Sequence, residues 1–505
     1  MTAKTTLSSL NESLQFPFRL NFNPNLPNVV AILDDFSTLS FSSAANLWLI
    51  DPLSPEIDLD VIKPDFLLVE SAWSGNSGRW RYMVTSSHGP KEPLIRLINQ
   101  CKKRDIPTVF WNKEDPPHFE EIIKTAQIFD YIFTSDANML EAYAAKAPNA
   151  PAQLLRFAVS PTLHNPRRVP EYREKAYAFA GQYFRHKFPE RREQMDLLFP
   201  VAAKWGLDIY SRVLGGDEQY QFPEKYAHLV IGSLPYFEMV QAYKKYRAFI
   251  NVNSVVNSTT MCARRVFELS GCKTGVFGLD SAAIRSVYDE SEILLAKDLN
   301  TAEEIAELLA ADDQQLAKLT QRAWRKTLGS HTYSERIDEI RRAIGLDVPV
   351  TKVIFEVASS SQALSQQVVK EMRSQKFTGS STNFEVRFVD ARYNWPAPRE
   401  TSSKEHQIEL TFKVVVNNDF SYGEHYLNDL YLAFTQSNAR RIAKASLESS
   451  RLPEDYYDLY EPGWGYIEYL GSQIFRNSVA SDFPREITEQ LYLSDSYDVT
   501  RKSAY

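Results

Sequence analysis

Three scarcities narrow the class of this protein: the chain has little cysteine, no long apolar run and no excess of positive charge. Its 505 residues include 3 cysteines, and 57 Lys and Arg stand against 64 Asp and Glu, for a net charge of −7. With no CxxC pair, the cysteines predict free thiols in a reducing compartment rather than disulfides or a zinc site. A mildly acidic chain also lacks the electrostatic footprint of phosphate-backbone binding, so nucleic acid is not an expected partner.

The apolar residues are spread through the chain rather than gathered into a membrane span. No run approaches the roughly 18 apolar residues that a spanning helix needs, and the first residues lack the apolar core of a signal peptide. Hydrophobic residues still make up 44% of the chain, which is enough for packed cores. We therefore expect a folded cytoplasmic protein of about three domains. Peripheral association with a membrane and the oligomeric state stay open.

Short apolar runs alternate with helical patterns along most of the chain, which is typical of βαβ units with parallel sheets. A first series of such runs, each a predicted strand that ends in a polar or small-residue loop, lies at Val29–Phe36, Phe66–Trp73, Thr108–Trp111, Tyr131–Thr134 and Leu154–Val159. A second series predicts strands at Tyr177–Ala180, Leu207–Tyr210, Ala248–Val252, Thr274–Phe277 and Glu292–Ala296. A proline-containing segment at 164–170 separates the two series, so we expect two α/β domains in tandem.

The second domain is predicted to close with two helices near Gly345. Thr301 with Glu304, and Thr332 with Glu335, have the spacing of capping boxes, and Gly345 is a typical helix stop. A third block follows, with strand-like runs at Lys352–Val357, Phe384–Val389 and Phe412–Val416. The predicted domains are therefore residues 1–168, 169–345 and 346–505.

Ligands of open parallel sheets bind beyond the carboxyl ends of the strands, so the loops at these ends are the candidate site. In the first domain, Asp35 follows the first strand and predicts either a general base or part of a helix start. After a later strand, Glu114 and Asp115 form a candidate acid/base pair, or acids that suit a helix start, with His118 close by. The loop Glu70–Tyr82 adds residue types that approach, stack on or grip a ligand, unless it is simply a packed loop: Trp73, Gly75, Asn76, Gly78 and Arg79.

In the second domain, two loops carry cations or hydroxyls. Arg185 and Lys187 follow a turn glycine and would neutralise a diphosphate, or form a solvated basic turn. The strongest pattern, Asn251–Cys272, runs from a strand through a hydroxyl-rich loop into a helix, with the candidate residues Ser258, Thr259, Arg264, Arg265 and Glu268. A helix start with hydroxyls suits phosphate, and a carboxylate suits a vicinal diol such as ribose. Because Arg265 and Glu268 are three residues apart, an internal ion pair is the alternative.

The segment Phe249–Val276, with its Asn-rich strand and the run Arg265-Val266-Phe267-Glu268, resembles the nucleotide-sugar-binding motif of GT-B glycosyltransferases of the CgeB-like group (glycosyl transferases group 1). Further similar motifs extend the resemblance over about residues 28–345: Glu70–Tyr82, Phe110–Pro116, Phe129-Asp130, Thr134-Ser135-Asp136 and His164-Asn165-Pro166. The resemblance implies an α/β fold with two Rossmann-like domains in a GT-B arrangement, plus a C-terminal α/β accessory domain.

The resemblance implies transfer of a sugar from a nucleotide-sugar donor to an acceptor hydroxyl in bacterial polysaccharide, glycolipid or protein glycan synthesis. It implies no metal or other cofactor in the GT-B core, since cations and helix dipoles meet the diphosphate charge. Glu268 would hold the donor ribose. Arg265 and Arg264, with Arg185 and Lys187, would face the diphosphate.

Activation of the acceptor is expected to differ with the stereochemistry of the transfer. If the reaction inverts the anomeric configuration, a first-domain carboxylate would serve as base, with Glu114 or Asp115 first and Asp35 next. Many retaining GT-B enzymes carry a second Glu eight positions before the ribose-binding one, where this chain has Thr260. The rival interpretation is therefore a catalytically silent nucleotide-sugar-binding scaffold subunit.

A second resemblance lies in the third block. The stretch Val414–Leu430, with Tyr422-Gly423 ahead of a Tyr-Leu-x-Asp-Leu helix, looks like part of a GT-A glycosyltransferase domain. The loop that would bind a metal reads Asn417-Asn418-Asp419, and two neutral amides weaken the expected affinity for a hard cation. We therefore expect a degenerate GT-A-like module for acceptor binding or assembly.

Overall fold

The computed structural model describes residues 18–19, 23–53, 55–86, 88–167, 169, 171–359, 363–379, 382–389, 407–416, 418, 420–436, 441–444, 466–469, 491–494 and 499–501. These residues divide between two compact units, which lie within Met1–Thr327 with His331–Glu339, and within Leu328–Ser330 with Ile340–Tyr505. The first unit contains two sheets flanked by helices. The second contains a third sheet.

The first sheet belongs to an N-terminal Rossmann-like domain. Its strands and the neighbouring short hairpin are β1 Phe18–Arg19, β2 Asn28–Ile32, β3 Asn46–Leu49, β4 Phe66–Glu70, β5 Ser74–Gly75, β6 Trp80–Arg81, β7 Thr108–Asn112, β8 Tyr131–Thr134 and β9 Ala152–Leu154. Its helices are α1 Asp35–Phe41, α2 Pro55–Ile62, α3 Glu92–Lys102, α4 Phe119–Ala126 and α5 Leu140–Lys146. The order is β1-β3-β2-β4-β7-β8-β9, parallel except at β1. Strands β4 and β7 are buried along their whole length, as expected for a parallel sheet covered on both faces.

The second sheet belongs to a second Rossmann-like domain. Its strands are β10 Lys175–Gly181, β11 Leu207–Ser211, β12 Val230–Gly232, β13 Tyr246–Asn251 and β14 Gly275–Gly278, in the parallel order β12-β11-β10-β13-β14. Its helices are α6 Pro189–Ala203, α7 Glu224–Ala227, α8 Tyr236–Tyr243, α9 Arg264–Gly271, α10 Ala282–Arg285, α11 Leu299–Ala311, α12 Asp313–Ser330 and α13 Tyr333–Ala343.

The chain crosses between these two domains twice. It leaves the first domain after Val159 and returns to it at the start of α13, where Val159 forms a parallel bridge with Thr332. The side chain of Arg336, on α13, donates to the backbone oxygens of Arg156 at 2.8 Å and Phe157 at 3.3 Å. The last helix of the second domain is therefore anchored on the end of the first.

The second unit has a mixed sheet. The strands of this unit are β15 Val350–Ser359, β16 Thr382–Phe388, β17 Gln407–Val416, β18 Phe420–Tyr422, β19 Arg441–Lys444, β20 Tyr466–Tyr469, β21 Leu491–Ser494 and β22 Val499–Arg501, and its helices are α14 Gln366–Arg373 and α15 Tyr426–Thr435. Six of the strands form the mixed sheet, in the order β16-β15-β17-β20-β19-β21, while β18 and β22 form a separate two-stranded sheet. Strand β15 pairs in parallel with β16 and β17, whereas β20 runs antiparallel to β17. The predicted α/β class with two Rossmann-like domains and a C-terminal α/β domain is confirmed, while the predicted boundaries after residues 168 and 345 stay predictions.

Three expectations about elements are wrong. Thr301 does not cap a helix, because α11 begins earlier and Asp298 is its N-cap, with Thr301 as the reciprocal partner. The run Glu292–Ala296 forms one isolated bridge, at Ala296, rather than a strand. The strand expected at Leu154–Val159 lies earlier, at Ala152–Leu154. By contrast, Thr332 accepts a hydrogen bond from the backbone of Glu335 at the start of α13, as predicted.

Candidate active site

A buried ionic cluster lies at the carboxyl edge of the first sheet. The register pairs Val69 of β4 with Ile32 of β2 and Phe110 of β7, so the loops after these strands emerge side by side. Lys113 donates to Asp34 and, at 2.9 Å, to Glu70. Burial lowers the pKa of the Lys113 ammonium, but the two carboxylates outweigh burial and raise it. The cluster therefore keeps the Lys113 ammonium charged at the carboxyl edge of the first sheet.

Phe36 joins this cluster to the second domain. The Lys113 ammonium lies 4.2 Å from the centroid of the Phe36 ring, and the Arg264 guanidinium lies 3.7 Å from the same centroid. Arg264 also lies 4.9 Å from the ring centroid of Tyr236 on α8. The guanidinium of Arg264 thus lies over aromatic rings from both domains, at the cleft between them. The attraction between a cation and an aromatic ring is stronger when the cation is desolvated.

Glu268 lies beneath Arg264 and is completely buried, at 0% exposure. Tyr236 donates to Oε1 at 2.6 Å and Tyr243 donates to Oε2 at 3.0 Å, while Arg264 forms an ion pair with Oε1 at 3.2 Å. Burial alone raises the pKa of Glu268, but the guanidinium and the hydroxyl donors outweigh burial and lower it. The carboxylate is therefore ionised at neutral pH.

Four arginines converge at the carboxyl edge of the second sheet: Arg191, Arg212, Arg264 and Arg265. The guanidinium groups of Arg191 and Arg265 each lie 5.8 Å from the ring centroid of Phe179, and the Nε atom of each is buried without a hydrogen-bond partner in the described residues. Burial and the neighbouring Arg265 lower the pKa of Arg191 to about 9. Cations crowded together in this way form a site for an anion.

Arg212 is the most accessible of the four. It directly follows β11, its side chain is exposed, and its guanidinium makes no hydrogen bond or ion pair in the described part of the chain. Partial burial and the charges of Arg264 and Arg265 lower the pKa of the Arg212 guanidinium, whereas the charges of Asp34 and Glu114 in the first domain act to raise it. Arg212 therefore presents a cation between the two domains.

The three predicted first-domain carboxylates have different surroundings. Asp115 is buried and accepts hydrogen bonds from Asn112 at 2.7 Å, Thr134 at 2.5 Å and Tyr143 at 2.9 Å. Burial raises the pKa of Asp115 to about 7. Asp115 therefore links β7, β8 and α5, and these contacts give it a structural role.

Glu114 and Asp35 are the more accessible of these carboxylates. The Glu114 side chain is half-buried and has no hydrogen bond in the described residues, and its charge opposes the lowering of the Arg212 pKa by burial. Asp35 is exposed at the start of α1 and accepts a hydrogen bond from Ser77 at 2.9 Å. Partial burial of its carboxyl group is the main cause that raises the pKa of Asp35.

The hydroxyl-rich loop expected to hold phosphate is tied to the first domain. Ser258 donates to Asp136 at 2.7 Å and accepts from the backbone N–H of Met261 at 2.9 Å. Thr260 accepts from the backbone N–H of Ala137 at 2.8 Å. Thr259, by contrast, is exposed and has no side-chain hydrogen bond among the described residues. Of the two predicted hydroxyls, Thr259 alone points to solvent.

The predicted cleft loop is largely packed against the first sheet. Asn76 is buried and bonds the backbones of Leu33, at 3.1 Å, and Ala31, at 2.9 Å. A Cβ on Gly75 would lie 2.8 Å from Ile32, and Arg79 pairs with Asp51 at 2.5 Å. These contacts hold the loop in place, so Gly75, Asn76 and Arg79 stabilise its conformation. Gly78 does so as well, because its φ of 92° favours glycine.

Two aromatic groups of the predicted cleft are neighbours. The rings of Trp73 and His118 meet edge to face with centroids 5.4 Å apart, and His118 also bonds Glu121 at 3.0 Å. Both rings are half-buried at the carboxyl edge of the first sheet. Their predicted contact with an acceptor stays a prediction.

Arg185 and Lys187 follow the first strand of the second domain, and Lys187 shares the ring of Phe184 with Arg191, whose guanidinium lies 5.7 Å from the same centroid. Arg185 is exposed, and its Nε donates to the backbone oxygen of Gln221 at 3.3 Å. The Lys187 ammonium lies 5.1 Å from the ring centroid of Phe184 and 5.2 Å from that of Phe188. Their predicted role at the diphosphate stays untested, and Arg191 and Arg212 occupy the position next to Arg265.

Four residues of this site are missing from the sequence-based candidates: Arg191, Arg212, Tyr236 and Tyr243. One of them, Arg212, lies two residues after the predicted strand Leu207–Tyr210, so the rule that ligands bind beyond the carboxyl ends of strands could have identified it. The tyrosines lie on α8 and give no signal in sequence, because their importance depends on what packs against them.

In the second unit, the expected GT-A resemblance is not confirmed. Asn417 and Asp419 lie outside the described residues. Asn418 accepts from the backbone N–H of Ser365 at 2.9 Å and donates to the oxygen of Ala363 at 3.0 Å, so its amide anchors the start of α14. Across the described residues, no group of three or more His, Cys, Asp or Glu side chains could hold a metal ion. Nor does any helix of the described ranges have the length and apolar character of a membrane span.

Comparisons with known proteins match the second domain. The model of a family described as "Glycosyl transferase-like" matches residues 191–342, which include all four arginines and Glu268. No curated protein matches the chain. The match covers less than half of the chain, so it identifies a glycosyl transferase-like segment rather than the activity of the whole protein.

Solved structures of similar fold have low identity. A mutant of S. aureus TarM, in complex with fondaparinux, alpha-GlcNAc-glycerol and UDP, is 11% identical, with 58% of each chain covered and a TM-score of 0.36. Anabaena Alr3699/HepE, in complex with UDP and glucose, is 11% identical over 63% of this chain and 91% of that one, with a TM-score of 0.41. An alpha-glucosyltransferase in complex with UDP and a 13-mer DNA is 14% identical over 59% of this chain and 85% of that one, with a TM-score of 0.40. This chain thus spans little more than half of TarM, and these superpositions carry no argument about its ligand.

Proposed function

We propose that this protein is a cytoplasmic glycosyltransferase that moves a sugar from a nucleoside diphosphate sugar to the hydroxyl of a glycan, glycolipid or protein acceptor, without requiring a metal ion. The observation that carries the proposal is the cluster of Arg191, Arg212, Arg264 and Arg265 at the carboxyl edge of the second sheet, inside the segment matched by the glycosyl transferase-like family. The C-terminal unit would serve acceptor binding or assembly.

The charge of the cluster supports a diphosphate as its ligand. Arg191 and Arg265 have buried Nε atoms without partners in the described residues, and Arg265 destabilises the charge of Arg191. A diphosphate would supply several acceptor oxygens and relieve this repulsion. Because charge develops on the leaving nucleoside diphosphate during transfer, fixed guanidinium groups would also stabilise the transition state. Cations would thereby meet the charge that a metal ion meets in other transferases.

We propose that Glu268 holds the donor ribose. Oε1 accepts from Tyr236 and pairs with Arg264, whereas Oε2 accepts only from Tyr243 among these contacts, so Oε2 keeps one lone pair for a ribose hydroxyl. Since Glu268 is fully buried, the donor would reach it only after Arg264 or Tyr236 shifts.

Glu114 is the first-domain carboxylate best suited to activate an acceptor if the reaction inverts configuration. It is half-buried without a hydrogen bond in the described residues, and its charge acts on Arg212 of the second domain. Asp115 uses its oxygens for three internal hydrogen bonds, and Asp35 is the remaining alternative.

The test is a calorimetric and mass-spectrometric screen of the whole chain against UDP-, GDP-, CMP- and dTDP-sugars, with and without EDTA. We expect one donor class to bind and to lose its sugar slowly, unaffected by EDTA. Arg212→Gln should then weaken binding of that donor at least about tenfold, because hydrogen bonds to charged groups contribute roughly 1.5–3 kcal/mol.

The matched control is Lys204→Gln, which removes an exposed cation that pairs with Glu303 on the surface. Its affinity should stay at the wild-type level. Donor binding without any transfer to acceptor extracts would favour the silent scaffold, and a wild-type chain that binds none of the donors would exclude both functions.

A further inference from the structure

The segment between the two domains contains a buried histidine that contacts the proposed donor site. His164 is 0% exposed. Its Nε2 lies 2.8 Å from the hydroxyl oxygen of Tyr236, which in turn lies 2.6 Å from Glu268 Oε1. His164 Nε2 itself lies 3.6 Å from Glu268 Oε1, beyond hydrogen-bond distance, so the hydrogen-bonded connection from His164 to the carboxylate runs through Tyr236.

The partners of His164 determine where its proton lies. Nδ1 is 3.1 Å from the backbone nitrogen of Ser160, and a backbone N–H can only donate. Nδ1 is therefore the acceptor, and the proton of the neutral ring lies on Nε2. Burial lowers the pKa of His164 to about 4, so the ring is neutral at physiological pH.

This proton order also fixes the hydroxyl of Tyr236. Because His164 Nε2–H donates to the Tyr236 oxygen, the hydroxyl proton of Tyr236 is directed at Glu268. Burial and the Glu268 charge keep the pKa of Tyr236 well above its ordinary value, so it remains a donor. Three hydrogen bonds thus run in one direction, from Ser160 through His164 and Tyr236 to the carboxylate.

We propose that His164 is a positioning residue of the donor site, which holds the hydroxyl of Tyr236 in the orientation that keeps Glu268 in place for the donor. The inference rests on the proposed function, because it names a residue that acts on the same site. It gives the interdomain segment a role in donor affinity beyond connecting the domains.

Two substitutions separate the two sides of the histidine. His164→Gln places an amide N–H near the position of Nε2 and can still donate to Tyr236. His164→Asn places its oxygen near Nδ1 and can still accept from Ser160, but it is too short to reach Tyr236. For whichever of UDP, GDP, CDP and dTDP the wild type binds, calorimetry should show His164→Asn about tenfold weaker and His164→Gln within about threefold of the wild type.

A double-mutant cycle tests whether His164 acts through Tyr236. Tyr236→Phe should weaken the same nucleotide about tenfold, and adding His164→Asn to it should change the affinity less than about threefold, since the connection is already broken. The control is Tyr226→Phe, which removes a tyrosine–carboxylate hydrogen bond of equal length, 2.6 Å to Asp196, outside the site.

The inference is overturned if Tyr236→Phe and His164→Asn weaken binding multiplicatively when they are combined. It is also overturned if His164→Gln binds as weakly as His164→Asn, because His164 would then act only through general packing. If His164→Asn fails to fold, the cycle is run with Tyr236→Phe and His164→Leu, which also lacks the donor to Tyr236; the leucine alone should weaken binding about tenfold and should add less than about threefold to Tyr236→Phe. A wild type that binds none of the four nucleotides overturns the proposed function and this inference with it, whereas binding that is unaffected in a folded His164→Asn overturns the inference alone.

Discussion

Arg264 and Arg265 are adjacent in the sequence, yet they have different surroundings. The spacing of three residues predicts that Arg265 shares a face with Glu268, but the structure pairs Glu268 with Arg264, four residues away. Both spacings bring side chains together on a helix. The choice between them depends on Phe36 and Tyr236, which stack on Arg264, and a residue pattern within one helix does not contain that information.

The two adjacent carboxylates of the first domain should behave differently when they are neutralised. We expect Glu114→Gln to lower turnover at least about a hundredfold without changing the melting temperature, if the reaction uses a base. Asp115→Asn should instead lower the free energy of unfolding by about 1–3 kcal/mol, because an amide cannot accept from all three of its donors.

The measurements are steady-state kinetics and thermal unfolding of both variants. Loss of turnover in a fully stable Asp115→Asn variant would restore Asp115 as the base. Full activity of both variants would exclude a base at either position.

At the residue scale, the sequence identifies candidates by chemical type and by position after a strand. This rule led to Glu114, Arg264, Arg265 and Glu268, which all lie in or beside the cleft. It did not distinguish the half-buried Glu114 from the buried Asp115, since burial depends on residues that are distant in sequence.

At the scale of elements, the parallel strands were predictable and the short ones were not. The core strands β2, β4, β7, β10 and β13 are apolar runs followed by helices, which is a strong local signal. The edge strand β12 has three residues and owes its pairing to β11. The start of α11 was misplaced because Asp298 and Thr301 both suit an N-cap, and only the backbone shows which one precedes the helix.

The loop between β13 and α9 gives a prediction at this scale. Ser258→Ala should lower the free energy of unfolding by about 1.5–3 kcal/mol, because it removes a hydrogen bond to the carboxylate of Asp136, yet leave nucleotide affinity within about twofold. Chemical denaturation and calorimetry would measure the two effects.

Thr259→Ala is the matched control in the same loop. Its hydroxyl is exposed and makes no hydrogen bond in the described chain, so stability should not change. A large loss of nucleotide affinity in Ser258→Ala, without loss of stability, would return Ser258 to the phosphate site.

At the scale of the whole molecule, the sequence predicted two tandem α/β domains and a further block, and it predicted the third sheet from three strands. The six-strand order of that sheet was not predictable, because it mixes parallel and antiparallel pairs of strands that are far apart in the chain.

A chain that ends at Gly345 should fold and bind the same nucleotide as the full protein, within about threefold. It retains both Rossmann-like sheets and the whole of α13, whose anchoring on the first domain involves Arg336. Thermal unfolding and calorimetry of the shortened chain would test this. An insoluble product would mean that the C-terminal unit is required for the fold of the first two domains.

The double crossing between the domains has a mechanical consequence. Two stretches of chain, near Val159 and Thr332, run side by side between the sheets and are bonded to each other. Such a pair resists twisting but allows bending about the line that joins the two crossings. Atoms close to that line move little while distant loops sweep a long arc. His164 lies close to one crossing, because its backbone and its ring both bond Ser160, so bending would move it little.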